Sequence, residues 1–249
     1  MQPLHVAFKL CRTVLHLLHG WWIIRRRFPQ FSPLQREQQV QQWAAQMLGI
    51  FGITLVQRGP SRASGPVLLV ANHISWLDIL VLHASGYCRF ISKADVHRWP
   101  LIGTMAAAAG TLFIERESRR DAMRVVHRMT ERLHAGEVLA VFPEGTTGDG
   151  HRLKPFHANL IQAALSAQAP VQPLALRYID GRTGAVSDAP RFVDDDTLLS
   201  SVLSTLGARG LHAEVITGDV EQAQGRDRRQ WAADLQAQVQ ALHQSGMPA

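Results

Sequence analysis

Apolar and polar positions are distributed unevenly along the chain, and the first two stretches are the most regular. From Leu4 to Ile24 nearly every residue is apolar, and the exceptions His5, Lys9, Arg12, His16 and His19 fall at spacings of 4, 3, 4 and 3. On a helix such spacings draw one narrow polar stripe. The rest of the circumference carries Phe8, Leu10, Val14, Leu15, Leu17, Leu18, Trp21 and Trp22, and Arg25-Arg26-Arg27 follows. This pattern predicts a helix lying in a membrane surface. About 20 apolar residues would suffice for a span, but Lys9 and Arg12 in mid-segment argue against a clean one. Burial in the protein's own core is the plain alternative. A signal peptide fits worse, because the basic residues lie within and after the apolar run and no small-residue cleavage pattern follows. A second helix is predicted over Gln38–Phe51, with Val40, Trp43, Ala44, Met47, Leu48 and Phe51 at spacings of three and four (and one) and glutamines opposite. Arg25 to Pro33 is the turn between them. Residues 1–58 thus read as a membrane-facing helical hairpin.

Beyond Arg62, short β-rich runs alternate with helical ones. Strands are expected at Val67–Ala71, Arg89–Ser92, Thr111–Ile114, Val138–Phe142, Val171–Leu176 and His212–Ile216. Helices are expected at Ser75–Ser85, Leu101–Ala109, Arg119–Ala135, Phe156–Ala167, Thr197–Leu206 and Arg228–His243. The alternation predicts an α/β fold over residues 59–249, a layered sheet with flanking helices. Gly181 to Pro190 reads as a surface loop, and Asp194-Asp195-Asp196 as a solvated helix start.

Basic charge is concentrated at one end of the chain. The chain of 249 residues has a formal charge of +6 and is 46% hydrophobic, enough for a sizeable core. Residues 1–62 hold eight Lys and Arg against the single Glu37, a net +7, which leaves −1 for the remainder. A partner with a sheet of negative charge should meet that end, and either nucleic acid or anionic lipid qualifies. The greasy circumference of the first helix excludes the nucleic-acid arm. Cys11 and Cys88 have no metal-like spacing and read as small hydrophobes in a reducing compartment.

Candidate chemistry begins at Asn72-His73-Ile74-Ser75-Trp76-Leu77-Asp78, directly after the run Val67–Ala71. Five residues on a helix are separated by roughly 140°. His73 and Asp78 therefore converge only if His73 lies just outside a helix that contains Asp78. An imidazole oriented by a carboxylate is a general base able to take a proton from a hydroxyl. The same residues also fit a helix cap formed by Ser75 and Asp78 beside an ordinary half-buried histidine. A triad using Ser75 as nucleophile is disfavoured, because a serine two residues from its base seldom has room to be both exposed and aimed at it.

Further motifs stand at the ends of expected strands: Gly110-Thr111-Leu112-Phe113-Ile114-Glu115-Arg116, then Phe142-Pro143-Glu144-Gly145-Thr146, then Ala169-Pro170-Val171-Gln172-Pro173. Each alone is explained by turn or strand-start chemistry. In this order they resemble the glycerolipid acyltransferase family, the lysophospholipid acyltransferases, whose pattern is N-H-x4-D, G-x-x-F-I-x-R, F-P-E-G-T and V-P-x-x-P. The resemblance covers roughly Val67 to Leu176, and the first and third motifs are specific together.

The resemblance implies that His73 removes the proton from the acceptor hydroxyl while Asp78 holds its ring, and that the hydroxyl attacks a fatty acyl thioester directly. It matches Arg116 to a phosphate-binding arginine, Glu144 to a carboxylate that bonds an acceptor hydroxyl or orients Arg116, and Gly145 and Thr146 to the turn and donor of the third motif. Lys93 is a second candidate for phosphate. The implied acceptor is 1-acyl-sn-glycerol-3-phosphate, and the donor an acyl-CoA or acyl carrier protein thioester, with no metal and no cofactor. The implied setting is the cytoplasmic face of a bacterial inner membrane, held peripherally by the hairpin. Many members carry arginine where Thr147 stands. Arg152 or Lys154 would have to replace that cation, or the acceptor is a lyso-ornithine lipid. Two other classes compete: a metal-dependent hydrolase built on His73, Asp78 and Glu144, and a non-catalytic membrane-binding module.

Overall fold

The computed structural model describes residues 2–114, 119–193 and 196–245. Its helical hairpin consists of α1 (Gln2–Arg26) and α2 (Pro33–Phe51). The second helix starts earlier than its apolar periodicity suggests. Ser32 caps it, with Oγ accepting from Gln35 N while the Gln35 side chain accepts from Ser32 N, and Pro33 occupies the first turn. Gly52 ends it in the left-handed region at φ 74°. The chain then passes straight into β1 (Ile53–Arg58), a strand for which no expectation was set. It pairs with Leu211–Ile216, far along the chain, and polar positions interrupt its alternation.

In chain order there follow β2 (Val67–Ala71), α3 (Leu77–Ser85), β3 (Arg89–Lys93), α4 (Ala94–His97), α5 (Ile102–Ala108), β4 (Leu112–Ile114), α6 (Arg119–His134) and β5 (Val138–Val141). Then come α7 (Gln162–Ala167), β6 (Val171–Asp180), α8 (Leu198–Gly207), β7 (Leu211–Thr217) and α9 (Arg228–Gln244). Only the second half of the expected Phe156–Ala167 helix forms. Phe156 N donates instead to Gln236 Oε1, and His157 N to Pro143 O, so the first half is tied to neighbouring elements. Asp194 and Asp195 lie outside the described residues, and Asp196 precedes α8, which Thr197 caps through Ser200 N.

The seven strands form one sheet in the order β1-β7-β6-β2-β5-β3-β4, parallel except for the antiparallel β6–β7 pair. β2 is buried at every position, as a central strand covered on both faces must be. Leu69 and Ala71 join Leu77, Val81, Leu174 and Leu176 in one layer, while Leu68 and Val70 join Met129, Leu133, Leu139 and Trp231 in the other. Thus α2, α3 and α8 cover one face, and α6, α7 and α9 the opposite one.

The hairpin belongs to the first of these layers. Ala44, Met47, Leu48 and Phe51 of α2 share the cluster of Leu69 and Leu77, and Val6, Leu10 and Leu17 of α1 pack against it. The polar stripe of α1 does not face solvent as a unit. Lys9 and Thr13 are buried, and Lys9 Nζ donates to Phe51 O (2.7 Å) and Leu206 O (3.1 Å), at the carboxyl ends of α2 and α8. Cations favour that location, although burial, aided by the charge of Arg209, lowers the Lys9 pKa. His16 stacks on Trp43 at 4.9 Å and bonds its carbonyl oxygen at 3.0 Å. Leu4, Phe8, Leu15, Leu18 and Trp22 are exposed. The inner seam is therefore partly polar and the outer face greasy. Among the described residues no helix is long and apolar enough to cross a membrane. Lys9→Met is expected to cost about 1–3 kcal/mol of stability in denaturant unfolding, because two helix-end carbonyls lose their donor.

Candidate active site

The centre is built where β2 leaves the sheet. The β2–β6 ladder runs to Ala71 opposite Leu174, and the next step is made by a side chain. Asn72 Nδ2 donates to Leu176 O (3.0 Å) and its Oδ1 accepts from Leu176 N (2.7 Å). This keeps both strands registered while the backbone departs, placing His73 outside α3 and Asp78 in its first turn. Convergence of two side chains five residues apart requires that placement.

His73 Nδ1 and Asp78 Oδ2 are 2.8 Å apart. The same oxygen accepts from Ile74 N (2.7 Å) and Ser75 N (2.9 Å), and Oδ1 accepts from the Tyr178 hydroxyl (2.6 Å). Asp78 is fully buried, whereas the His73 side chain is 20% exposed. An ionised carboxylate only accepts, so this network assigns the proton to Nδ1 and leaves a lone pair on Nε2. Burial and the adjacent Asp78 charge raise the Tyr178 pKa well above its ordinary value, which keeps the phenol a donor. Phe142 stacks on the imidazole at 4.0 Å with planes 7° apart. Capping and orientation are therefore not alternatives here, since one carboxylate does both.

Ser75 is fully buried, and its Oγ accepts from Leu77 N at 3.2 Å. It has no access to a reactant.

Glu144 does not point outward toward an acceptor. It is 4% exposed, Oε1 accepts from His73 N (2.8 Å), and Oε2 accepts from Lys154 N (2.7 Å). Burial raises its pKa, opposed by those two N–H donors. Among the described residues its partners are the backbone amides of His73 and Lys154, and it braces the segment that carries the base. Gly148 N adds a bond to His73 O at 2.7 Å. Gly145 holds φ 73°, and a Cβ there would lie 3.2 Å from His157 Cδ2. Thr146 is exposed on the same loop. Lys93 is exposed at the end of β3, on the sheet edge that also carries His73. Arg116 lies outside the described residues. Thr147 donates its hydroxyl to Phe192 O, Lys154 Nζ donates to Thr147 O (2.8 Å), and Arg152 is exposed. With their oxygens spent on protein donors, Asp78 and Glu144 do not suit a metal, and no group of three His, Cys, Asp or Glu among the described residues is arranged to hold one.

Asn72, Phe142 and Tyr178 escaped the sequence reading as functional positions. Tyr178 lies past the expected end of its strand at Leu176, and no local pattern connects it with Asp78, a hundred residues earlier. Tyr178→Phe is expected to lower kcat several-fold, on the scale of about 1 kcal/mol for one hydrogen bond. Steady-state kinetics should show the change in kcat with little change in KM.

Fold and site together define a mixed α/β enzyme with a histidine–carboxylate centre outside the carboxyl ends of its parallel strands, where open α/β sheets place their ligands. The chain belongs to the Acyltransferase family, whose model matches residues 52–177. It is an acyltransferase of the lysophospholipid type, acting in lipid biosynthesis. A lyso-ornithine lipid O-acyltransferase of Pseudomonas aeruginosa is 39% identical over 227 residues, 89% of this chain and 85% of that protein. A 1-acyl-sn-glycerol-3-phosphate acyltransferase of Neisseria gonorrhoeae is 41% identical over 143 residues, 57% of this chain and 55% of that protein. The crystal structure of the 1-acyl-sn-glycerophosphate acyltransferase from Thermotoga maritima superposes with a TM-score of 0.68 at 14% identity, covering 97% of this chain and 99% of that one. The last comparison establishes the fold.

Proposed function

We infer that the protein moves a fatty acyl group from a thioester to the free hydroxyl of a lyso-ornithine lipid, with His73 as general base and Asp78 as the group that orients it. The observation that carries the chemistry is the 2.8 Å contact between His73 Nδ1 and a fully buried carboxylate with three further donors. In the reaction Nε2 takes the hydroxyl proton, the oxygen bonds to the thioester carbon, and the carbon–sulfur bond breaks. The leaving thiolate recovers the proton. The nucleophile comes with the substrate, so no cofactor and no enzyme acyl intermediate is required. Lys93 and Thr146, both exposed, are assigned to the acceptor, together with Arg116 by its place in the second motif.

Two observations support the acceptor. The Pseudomonas relative matches along most of its length. Thr147 replaces a cation that a phosphate acceptor would use, and Lys154 Nζ is held by a carbonyl. An ornithine head group carries an ammonium and a carboxylate in place of phosphate. The second reading, 1-acyl-sn-glycerol-3-phosphate giving phosphatidic acid, is favoured by the Neisseria match across the core. An acceptor panel with purified protein and one acyl donor distinguishes them. Lyso-ornithine lipid should exceed 1-acyl-sn-glycerol-3-phosphate in kcat/KM by about tenfold, the effect of roughly 1.4 kcal/mol. The reverse ranking establishes the second reading.

The helical hairpin ending at Phe51 serves membrane association on the cytoplasmic face of the bacterial inner membrane, while Ile53–Arg58, first grouped with it, belong to the sheet as β1. The support is the exposed apolar outer face of α1, with Trp21 and Trp22 beside Arg25 and Arg27, the composition expected at an anionic bilayer surface.

A further inference from the structure

The acyltransferase chemistry leaves one strongly charged element unused. α6 carries Arg119, Arg120, Arg124, Arg128 and Arg132 against Asp121 and Glu131, in a part of the chain that is otherwise slightly acidic. Arg120, Arg124 and Arg128 recur every fourth residue and are exposed, so they form a ridge about 12 Å long. Arg124 reaches Asp121 at 3.1 Å, while Arg120 and Arg128 make no ion pair among the described residues. Beside the ridge, Met123 is 73% exposed.

Position narrows the partner. α6 packs in the layer with Met129, Leu133 and Leu139, whereas α1 packs on the opposite layer. With α1 on the bilayer, the ridge faces water, so its occupant is soluble. A groove of about 430 Å³ runs under the ridge, with Ala94, Phe113 and Ile114 on one side and Arg124 and Arg128 among the α6 residues on the other, where Asp121 and Glu131 also line it. Ile114 ends β4 and Ala94 follows β3, so the groove opens at the sheet edge where His73 stands. Three strand spacings separate β4 from β2, about 14 Å, a gap that a thioester on a long flexible arm can bridge.

Resting on the proposed function above, we propose that the Arg120, Arg124 and Arg128 ridge of α6 docks an acyl carrier protein, an acidic protein that presents its acyl thioester on a phosphopantetheine arm. Opposite charge on a row of exposed guanidiniums speeds encounter and fixes orientation, and the exposed Met123 supplies an apolar contact next to them.

The test compares acyl–acyl carrier protein and acyl-CoA as donors to one acceptor, for wild type and for Arg124→Glu with Arg128→Glu. The variant should raise KM for the carrier-protein donor by about tenfold or more and flatten its salt dependence, with acyl-CoA kinetics within about twofold of wild type. Arg124→Lys with Arg128→Lys, which keeps the charge, should retain most of the affinity. Equal loss with both donors, no loss with either, or a wild type that accepts only acyl-CoA overturns the docking surface. Loss of binding to phosphatidylglycerol vesicles in the Glu variant also overturns it, by making the ridge a membrane contact. A wild type that transfers from neither donor refutes the acyl-transfer reading itself.

Discussion

His73→Ala is expected to reduce kcat for acyl transfer by about 10²–10⁴-fold, the usual contribution of a positioned general base. The fold around it should survive. The bonds that fix this segment, His73 N to Glu144 and Gly148 N to His73 O, are made by the backbone and are available to alanine. What disappears is the imidazole, its stack on Phe142, and the proton acceptor. The measurement is single-turnover transfer alongside a thermal melt, and a variant with more than about a tenth of wild-type activity would remove His73 from the base role. Ser75→Ala provides the contrast, since that hydroxyl is sealed and bonded to Leu77 N. Substantial transfer should remain. Trapping an acyl-serine in the wild type would defeat direct attack by the acceptor.

Asp78→Asn should have a comparable effect on rate and a larger one on stability. Asp78 Oδ2 serves Ile74 N, Ser75 N and His73 Nδ1, and Oδ1 serves Tyr178. An amide can present its oxygen to only one of those groups of donors. If oxygen faces His73, the NH2 group meets the Tyr178 hydroxyl, and the buried phenol must find another acceptor. If nitrogen faces His73, two backbone donors are stranded and the imidazole is driven to the tautomer with Nε2 protonated, which cannot take a proton. A loss of about 10²–10⁴-fold in kcat together with about 1–3 kcal/mol of stability follows. The pair Asp78→Asn and Tyr178→Phe should be less than additive, because the two side chains share one hydrogen bond and the amide oxygen turned toward His73 already breaks it. A double variant whose losses simply add would show that Tyr178 acts independently of the carboxylate.

Much of this architecture was legible in the sequence because its signals are local. The run Val67–Ala71 names a central strand by being apolar at every position, and the His73 to Asp78 spacing admits only a strand-to-helix junction. Boundaries set by capping were less visible, and α2 begins at Pro33 because of Ser32 and Gln35 rather than because of its apolar face. β1 was missed because its role is to pair with β7, about 160 residues away. The backbone partners of Glu144 were not legible for a related reason. A carboxylate in a glycine-rich turn suggests a substrate ligand, and only the folded chain shows the amides of His73 and Lys154 closing on it. Tyr178 and Asn72 likewise gain meaning from β6 lying beside β2. The orientation of α1 was the hardest to read, since a helix with one polar stripe does not declare whether that stripe meets water or protein.

That orientation has a consequence for how the amino-terminal helix is sorted. Hydrocarbon side chains gain similarly from lipid tails and from a protein interior, so grease alone gives a helix no reason to prefer one azimuth over another. The ammonium of Lys9 and the imidazole of His16 break that tie, because only one rotational setting supplies them with carbonyl oxygens. A Lys9→Leu, His16→Leu pair would erase the distinction and leave the helix free to roll about its axis, observable as altered spin-label depth at Cys11 in lipid vesicles.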